Sequence, residues 1–180
     1  ALADVGQTTS NSGRLIGENN NQPGSHFGTW QNSYFAINEA NLILAAVSKV
    51  QGATDAQKAR WEGEAKFLRA LYYFDLVKVY SYIPTAVFQP GVIGQGGIPV
   101  VLEGVITSGE ALTRKTPRST IDEVYTQIYK DLEDVKRLVP AGRGVQYGSG
   151  PAASALLSRV ALYRGDWSKV VSESALALAS

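Results

Sequence analysis

The chain has no cysteine, no methionine and a single histidine, His26, among its 180 residues. Without cysteine there is no disulfide, no thiolate metal site and no cysteine nucleophile. One histidine with no thiolate partner does not make a zinc site, which takes three or four protein ligands. His26 also lacks the neighbours of a catalytic dyad or triad and reads as a loop residue. An excess of one charge is missing too: 17 basic and 16 acidic residues leave a formal net charge of +1. That balance offers no basic surface for nucleic acid or an anionic membrane. No positively charged leader with an apolar core and no apolar run of ~20 residues suited to crossing a membrane is present. With no methionine, an opening Ala-Leu-Ala-Asp and a close inside the helical pattern of residues 172–180, the sequence reads as a piece of a longer protein. The expectation is one helical domain over residues 1–180.

What the chain does have is 44% hydrophobic residues, enough for a core, and one dominant stretch. Eleven of the fourteen residues in Phe67–Tyr80 are apolar or aromatic, and only Arg69, Asp75 and Lys78 are charged. The run is too long for an ordinary strand and has no glycine or proline, so it predicts a helix. Leu68, Tyr72, Leu76 and Val79 form one apolar stripe; Phe67, Leu71 and Phe74 form a second, and Tyr73, Val77 and Tyr80 a third. A helix apolar nearly all round is a central helix covered by others. Leu71 and Phe74 are expected to be fully buried.

Residues 1–28 are polar and rich in Asn, Gly and Ser, and predict an irregular segment. A helix is expected from Gly28 to Val50, with Trp30, Tyr34, Ile37, Leu44 and Val47 mostly on one face and Asn38 and Asn41 beside them. Thr54-Asp55-Ala56-Gln57 has the form of a capping box, so the next helix starts near Asp55 and runs to about Tyr80. Residues 81–118 hold ten Gly and Pro and no helical period; within them Ile98–Leu102 predicts a short edge strand. A long loop of this kind is usually functional or disordered. Thr120-Ile121-Asp122-Glu123 is a second capping box. The helix it opens places Ile121, Tyr125, Ile128, Leu132, Val135 and Leu138 on one face and ends at Pro140. After a Gly-rich linker, Pro151–Trp167 has small residues, then Gly165, then an aromatic. That pattern resembles the turn in a tetratricopeptide (TPR) repeat. Residues 30–50 and 55–80 have the layout of a second, diverged helical hairpin.

Each candidate for chemistry has a structural competitor. Asp131, Glu133 and Asp134 invite a glycosidase pair, yet glycosidases hold two carboxyls across a cleft from separate segments. On one helix, interleaved with Lys130, Lys136 and Arg137, they read as a solvated face, with Glu133 and Arg137 spaced for an ion pair. The Gly clusters at 91–97 and 142–148 lack the strand–loop–helix context and the Gly-Lys-Ser/Thr of a phosphate loop, and read as turns. Arg69, inside the central helix, is expected to pair with a carboxylate from another helix, Glu39 first. The candidate binding group is Trp30 with Phe27, Asn20 and His26, flanked by Asn21 and Gln22. Sugars stack their C–H faces on aromatic rings while amides take the hydroxyls. Trp30 equally suits the first core residue of its helix, and both roles stand open. Tyr82, Phe88 and Tyr147 are further loop aromatics.

Four segments, in order, resemble the N-terminal part of SusD/RagB proteins, the surface glycan-binding lipoproteins of the Bacteroidetes. They are Trp30…Tyr34…Ile37…Asn41; Glu64–Tyr80, the most specific; Gly96-Gly97-Ile98-Pro99-Val100-Val101 followed by Pro117–Tyr125; and the Ala-rich helix ending Leu162-Tyr163-Arg164-Gly165-Asp166-Trp167. About fifteen residues, 81–95, separate the signature helix from Gly-Gly-Ile-Pro, where the family commonly has almost none. The family's lipobox cysteine is not in this chain. The resemblance implies an all-α, TPR-like array of antiparallel helix pairs with long irregular loops. It implies capture of oligosaccharide at the cell surface, docking on a SusC-like TonB-dependent outer-membrane transporter, and outer-membrane attachment only through a lipid anchor that this chain lacks. It implies no enzyme activity and no cofactor. The competing expectation is a TPR-type protein–protein interaction module without a sugar site.

Overall fold

A computed structural model of the chain describes residues 28–85, 96–140, 144 and 146–179. Six α-helices are formed among them: α1, Trp30–Ala46; α2, Asp55–Tyr80; α3, Ser108–Thr113; α4, Ile121–Leu138; α5, Gly150–Arg164; and α6, Trp167–Leu178. A 3-10 turn, Val47–Lys49, closes α1. The fold is all-α. Helices α1, α2, α4, α5 and α6 form an array in which each packs mainly on the next, and α3 stands apart.

Local chemistry sets the helix starts. Thr54 accepts from the Gln57 amide and the Gln57 side chain returns to the Thr54 amide, so both ends of the capping box are made. Thr120 and Glu123 do the same for α4, whose first turn carries Asp122 and Glu123 and whose last carries Lys136 and Arg137, matching the helix dipole. Ser149 caps α5 and Asp166 caps α6. Between them Gly165 adopts φ +73°, the left-handed conformation an L side chain resists, and its amide bonds back to α5. This gives the tight turn expected at residues 164–167.

Helix α2 is central, but it is not buried all round. Tyr73, Phe74, Leu76 and Val77 are buried in one core with Ile37 of α1, Val124, Tyr125, Ile128, Leu132 and Val135 of α4, and Leu157 and Val160 of α5. Leu71, expected to be fully buried, is only partly so. Leu68 and Val79 are exposed. The cause is neighbour number: α1 and α4 cover two sides of α2 and leave Leu68 and Val79 uncovered by the described residues, while Leu76 of the same stripe is buried.

Residues 81–118 also differ from expectation. Ile98–Leu102 is not a strand; the described pairing is a single antiparallel bridge between Gly96 and Thr120. Within the stretch expected to have no helical period, Thr107 and Glu110 complete a capping box and open α3. Thr107 and Glu110 keep the Thr-x-x-Glu/Gln spacing of the boxes at 54–57 and 120–123, so the signal was present.

The acidic face of α4 divides. Glu133 is exposed, but Asp131 is 1% exposed and belongs to the interior. Arg137 pairs with Asp134 at 2.9 Å, not with Glu133. Glu133 turns to Lys136 and to Lys169 of α6, at 3.1 and 3.0 Å. Lys136 also reaches the buried Glu173 of α6 at 2.8 Å. A third helix on that flank redirects the charges, which spacing on one helix does not reveal.

Candidate functional site

Residues 96–107 form an extended strap across the outer side of α1 and α2. Its first residues pair with Ser119 and Thr120; beyond them side chains take the place of a neighbouring strand. Tyr34, Asn38 and Asn41 recur on α1 at spacings of four and three, which puts them on one face. Tyr34 donates its hydroxyl to the Pro99 carbonyl at 2.7 Å. Asn38 exchanges two hydrogen bonds with Val105, donating to its carbonyl at 3.0 Å and accepting from its amide at 2.7 Å. Asn41 donates to the Val101 carbonyl at 2.8 Å. From α2, Tyr73 makes a reciprocal pair with Val101, donating to its carbonyl at 2.7 Å and accepting from its amide at 2.8 Å. Burial pushes the Tyr73 hydroxyl up to about 12 and the Tyr34 hydroxyl higher still, so both remain neutral donors.

Gly104 lets the strap lie close. A Cβ there would stand 2.5 Å from Leu42 Cδ2 and 3.1 Å from the Leu42 backbone nitrogen on α1. At the other end Arg118 donates to the Tyr80 carbonyl at 3.0 Å and the Gly97 carbonyl at 2.7 Å. A guanidinium there satisfies an orphan carbonyl at the negative end of α2.

Beneath the asparagine anchors, Asn41 accepts from Arg69 Nη1 at 2.7 Å. Arg69 grips Asp131 of α4 with Nε and Nη2 at 2.8 and 2.7 Å. The partner of Arg69 is therefore Asp131, not Glu39, which is exposed on α1. Gln127 donates to Asp131 at 3.0 Å.

Strap, α1 and α3 enclose an open groove of about 800 Å³, whose lining includes Trp30, Gln31, Tyr34, Phe35, Ser108 and Thr116. Trp30 is half-buried. Its ring centroid lies 4.8 Å from that of Tyr34 and 4.9 Å, edge to face, from that of Tyr80, with the Arg118 guanidinium 5.9 Å away. Trp30 thus packs on the edge of the core and borders the groove at once. Phe35 offers a freer ring, 67% exposed. Its sequence signal is an aromatic placed off the apolar stripe of its helix. Arg114, also in the groove, is held by Glu103 through its carbonyl at 2.7 Å and its carboxylate at 3.0 Å. Phe27, Asn20 and His26, grouped with Trp30 by the sequence, lie outside the described residues, as do Asn21, Gln22 and Phe88. Tyr82 and Tyr147 are exposed and border no part of this groove.

Aromatic rings beside neutral hydroxyl and amide groups make a surface for a polyhydroxylated ligand: C–H faces stack and hydroxyls are hydrogen-bonded. No group of three or more His, Cys, Asp or Glu side chains gathers for a metal among the described residues. No helix among them is long and apolar enough to cross a membrane.

Comparison with known proteins adds to this geometry. The fold is shared with a SusD-like carbohydrate-binding protein from Bacteroides vulgatus (28% identity, TM-score 0.69, 84% of this chain and 30% of that one). It is shared with a SusD superfamily protein from Bacteroides fragilis (27% identity, TM-score 0.70, 83% of this chain and 34% of that one). A laminarin-binding SusD-like protein matches at 26% identity and a TM-score of 0.64, over 80% of this chain and 28% of its own. The chain thus spans about a third of the length of these proteins. Among curated proteins no sequence matches it. The sequence model of a SusD-like family described as "starch-binding associating with outer membrane" matches residues 5–162. With most of its length matched by that model and its helical array shared with SusD-like structures, the chain belongs to the SusD-like family.

Proposed function

We propose that this chain is the N-terminal helical domain of a surface glycan-binding subunit that captures oligosaccharides for uptake through a SusC-like TonB-dependent outer-membrane transporter. The observation that carries the reading is the groove along α1, where Trp30, Tyr34 and Phe35 stand beside Gln31, Ser108 and Thr116. Phe27, Asn20 and His26 belong to the same proposed site, as the segment leading into Trp30. The subunit binds and hands on its sugar without cleaving it, is held at the outer-membrane surface by a lipid anchor outside this chain, and needs no cofactor.

The test is calorimetric titration of the intact protein with maltoheptaose and laminarihexaose, repeated with Phe35→Ala and Trp30→Ala. Loss of one stacking ring should weaken binding about tenfold, the equivalent of ~1.4 kcal/mol. Chromatography of the sugar after the titration should return it uncleaved. The 180-residue chain alone should bind more weakly than the intact protein, because a sugar site needs several convergent platforms in one concave surface. No binding of either probe by the intact protein removes the glycan reading.

One observation favours the second reading, a helical protein-interaction module. Trp167, Val171 and Leu178 form an exposed apolar stripe on α6, 65%, 71% and 87% exposed, a face suited to packing against protein. Co-purification of the transporter with the intact protein from outer membranes, undiminished by Phe35→Ala and with no sugar bound, would favour that module.

A further inference from the structure

The strap that walls the groove is held by a buried polar chain that begins in the interior, between α2 and α4. Asp131 of α4, 1% exposed, accepts two hydrogen bonds from Arg69 of α2, 6% exposed. Arg69 spends its third contact, through Nη1, on the Asn41 side-chain carbonyl at 2.7 Å. That bond settles the Asn41 amide: oxygen toward Arg69, nitrogen toward the Val101 carbonyl at 2.8 Å. The same Val101 carbonyl accepts from the Tyr73 hydroxyl, which in turn accepts the Val101 amide. Both backbone groups of one strap residue are thus fixed by side chains: Tyr73 of α2 holds the amide and the carbonyl, and Asn41, which answers through Arg69 to the α2–α4 interface, holds the carbonyl as well. Val101 and Val105 both line the groove.

We propose that Asp131, Arg69, Asn41 and Tyr73 act as positioning residues that set the wall of the ligand groove. The proposal rests on the glycan-binding reading for what the groove takes, but not for how the strap is held. None of the four needs to touch the ligand. Arg69 orients Asn41 because a guanidinium has only donors and must face the oxygen. Asp131 holds Arg69 in that pose because a bidentate carboxylate leaves the guanidinium plane no freedom to turn. With Asp131 neutralised, Arg69 turns away, the Asn41 amide loses its reason to point one way, and the Val101 carbonyl loses a donor. A charge change on α4 therefore acts on a backbone that α4 does not contact through these groups.

The experiment is backbone amide hydrogen exchange on the intact protein, for the parent, Asp131→Asn and Tyr73→Phe, with the titrations above in parallel. Tyr73→Phe keeps the buried ring and removes only the hydroxyl, so it remains informative if Asp131→Asn fails to fold. Exchange at Val101 should speed up about tenfold in Tyr73→Phe, where the amide loses its acceptor, the scale of one lost hydrogen bond, and by a smaller but measurable factor in Asp131→Asn, where the carbonyl of the same residue loses a donor. Amides in the middle of α4, such as that of Ile128, should change no more than the global stability does. A general loss of packing would instead raise all of them together. Affinity for whichever sugar the parent binds should fall at least about fivefold, while the Trp30→Ala effect persists on top of it.

Val101 exchange as slow as in the parent in folded Tyr73→Phe and Asp131→Asn would overturn the positioning role. So would a loosened strap with unchanged sugar affinity, which would mean that the strap is held but the groove does not depend on it. If the parent binds neither sugar, the glycan reading falls, and the exchange rates alone decide whether the chain from Asp131 to Val101 holds the strap.

Discussion

Arg69 of α2 and Asp131 of α4 meet face to face, joined by two parallel hydrogen bonds of 2.8 and 2.7 Å with both side chains withdrawn from solvent. Two of the largest core helices are thereby pinned at one register. A buried pair of this kind adds little net stability over an apolar pair of the same shape, but breaking it is costly because the survivor is left charged and unpaired.

Arg69→Leu should therefore destabilise by about 3–5 kcal/mol, and Lys130→Leu, at an exposed position on α4, by less than about 0.5 kcal/mol. Lys136 is not a neutral control, because its ammonium serves the buried Glu173. The measurement is chemical unfolding followed by circular dichroism. Equal midpoints for the Arg69 and Lys130 variants would show that the pair is not buried as described.

Phe74 is fully buried, with the Tyr163 ring edge to face at 5.2 Å and Lys78 Nζ 4.6 Å from its centroid. Phe74→Ala should cost about 3–5 kcal/mol. Leu71→Ala should cost less, below about 2 kcal/mol, since a partly buried leucine loses only part of its transfer energy. Calorimetric melting of the two variants gives the order, and a larger loss for Leu71 would reverse the assignment of the α2 faces.

Gly165 has open space around it; a Cβ would meet nothing nearer than Thr85 Cγ2 at 3.8 Å. The cost of Gly165→Ala is then purely that of its φ of +73°, about 1–2 kcal/mol. Gly165→Asn should recover part of it, because asparagine visits the left-handed region more readily. Equal melting temperatures for Gly165→Ala and the parent would mean that the α5–α6 turn is not left-handed.

Stability should fall on both sides of neutral pH through Lys66. Its ammonium lies 2.7 Å from both Glu62 and Asp134. Burial works against its charge, but the hydrogen bonds to the two carboxylates prevail and hold it above the usual lysine range. Burial likewise opposes the charge of Asp134, and its bonds to Lys66 and Arg137 win and hold it below the usual carboxylate range. A depressed carboxylate gives stability that is present above its unfolded pKa, about 3.9, and lost as pH falls through the lower folded value. A raised lysine gives stability that is present below about 10.4 and lost as pH rises through the raised folded value. Lys66→Met should flatten both limbs of a plot of Tm against pH. Limbs as steep as the parent's would assign that dependence to other pairs.

Much of this architecture was legible along the chain, because the deciding interactions are local. A capping box closes within four residues, so Thr54–Gln57 and Thr120–Glu123 announced their helices, and Gly165 announced its turn. The stripe from Ile121 to Val135 named the buried face of α4, since periodicity alone says which residues share a side. The family resemblance, too, lay in short ordered segments. Trp30 was visible as an aromatic beside polar sequence, and its two roles, core edge and groove border, turn out to coexist.

What the tertiary structure alone decided are the pairings between elements. Asp131 lies among charged neighbours on α4, and periodicity gave no sign that its carboxylate faces a guanidinium on α2; Glu39 was as plausible a partner by sequence. Ile98–Leu102 has the composition of a strand, yet apart from Ser119 its partners are side chains on α1 and α2, more than twenty residues away in sequence, so it became a strap. Helical spacing could place Leu71 on an apolar stripe but could not count the neighbours that would cover it. Sequence sets which residues share a face; which face meets which depends on the closure of long loops, and only the assembled packing decides it.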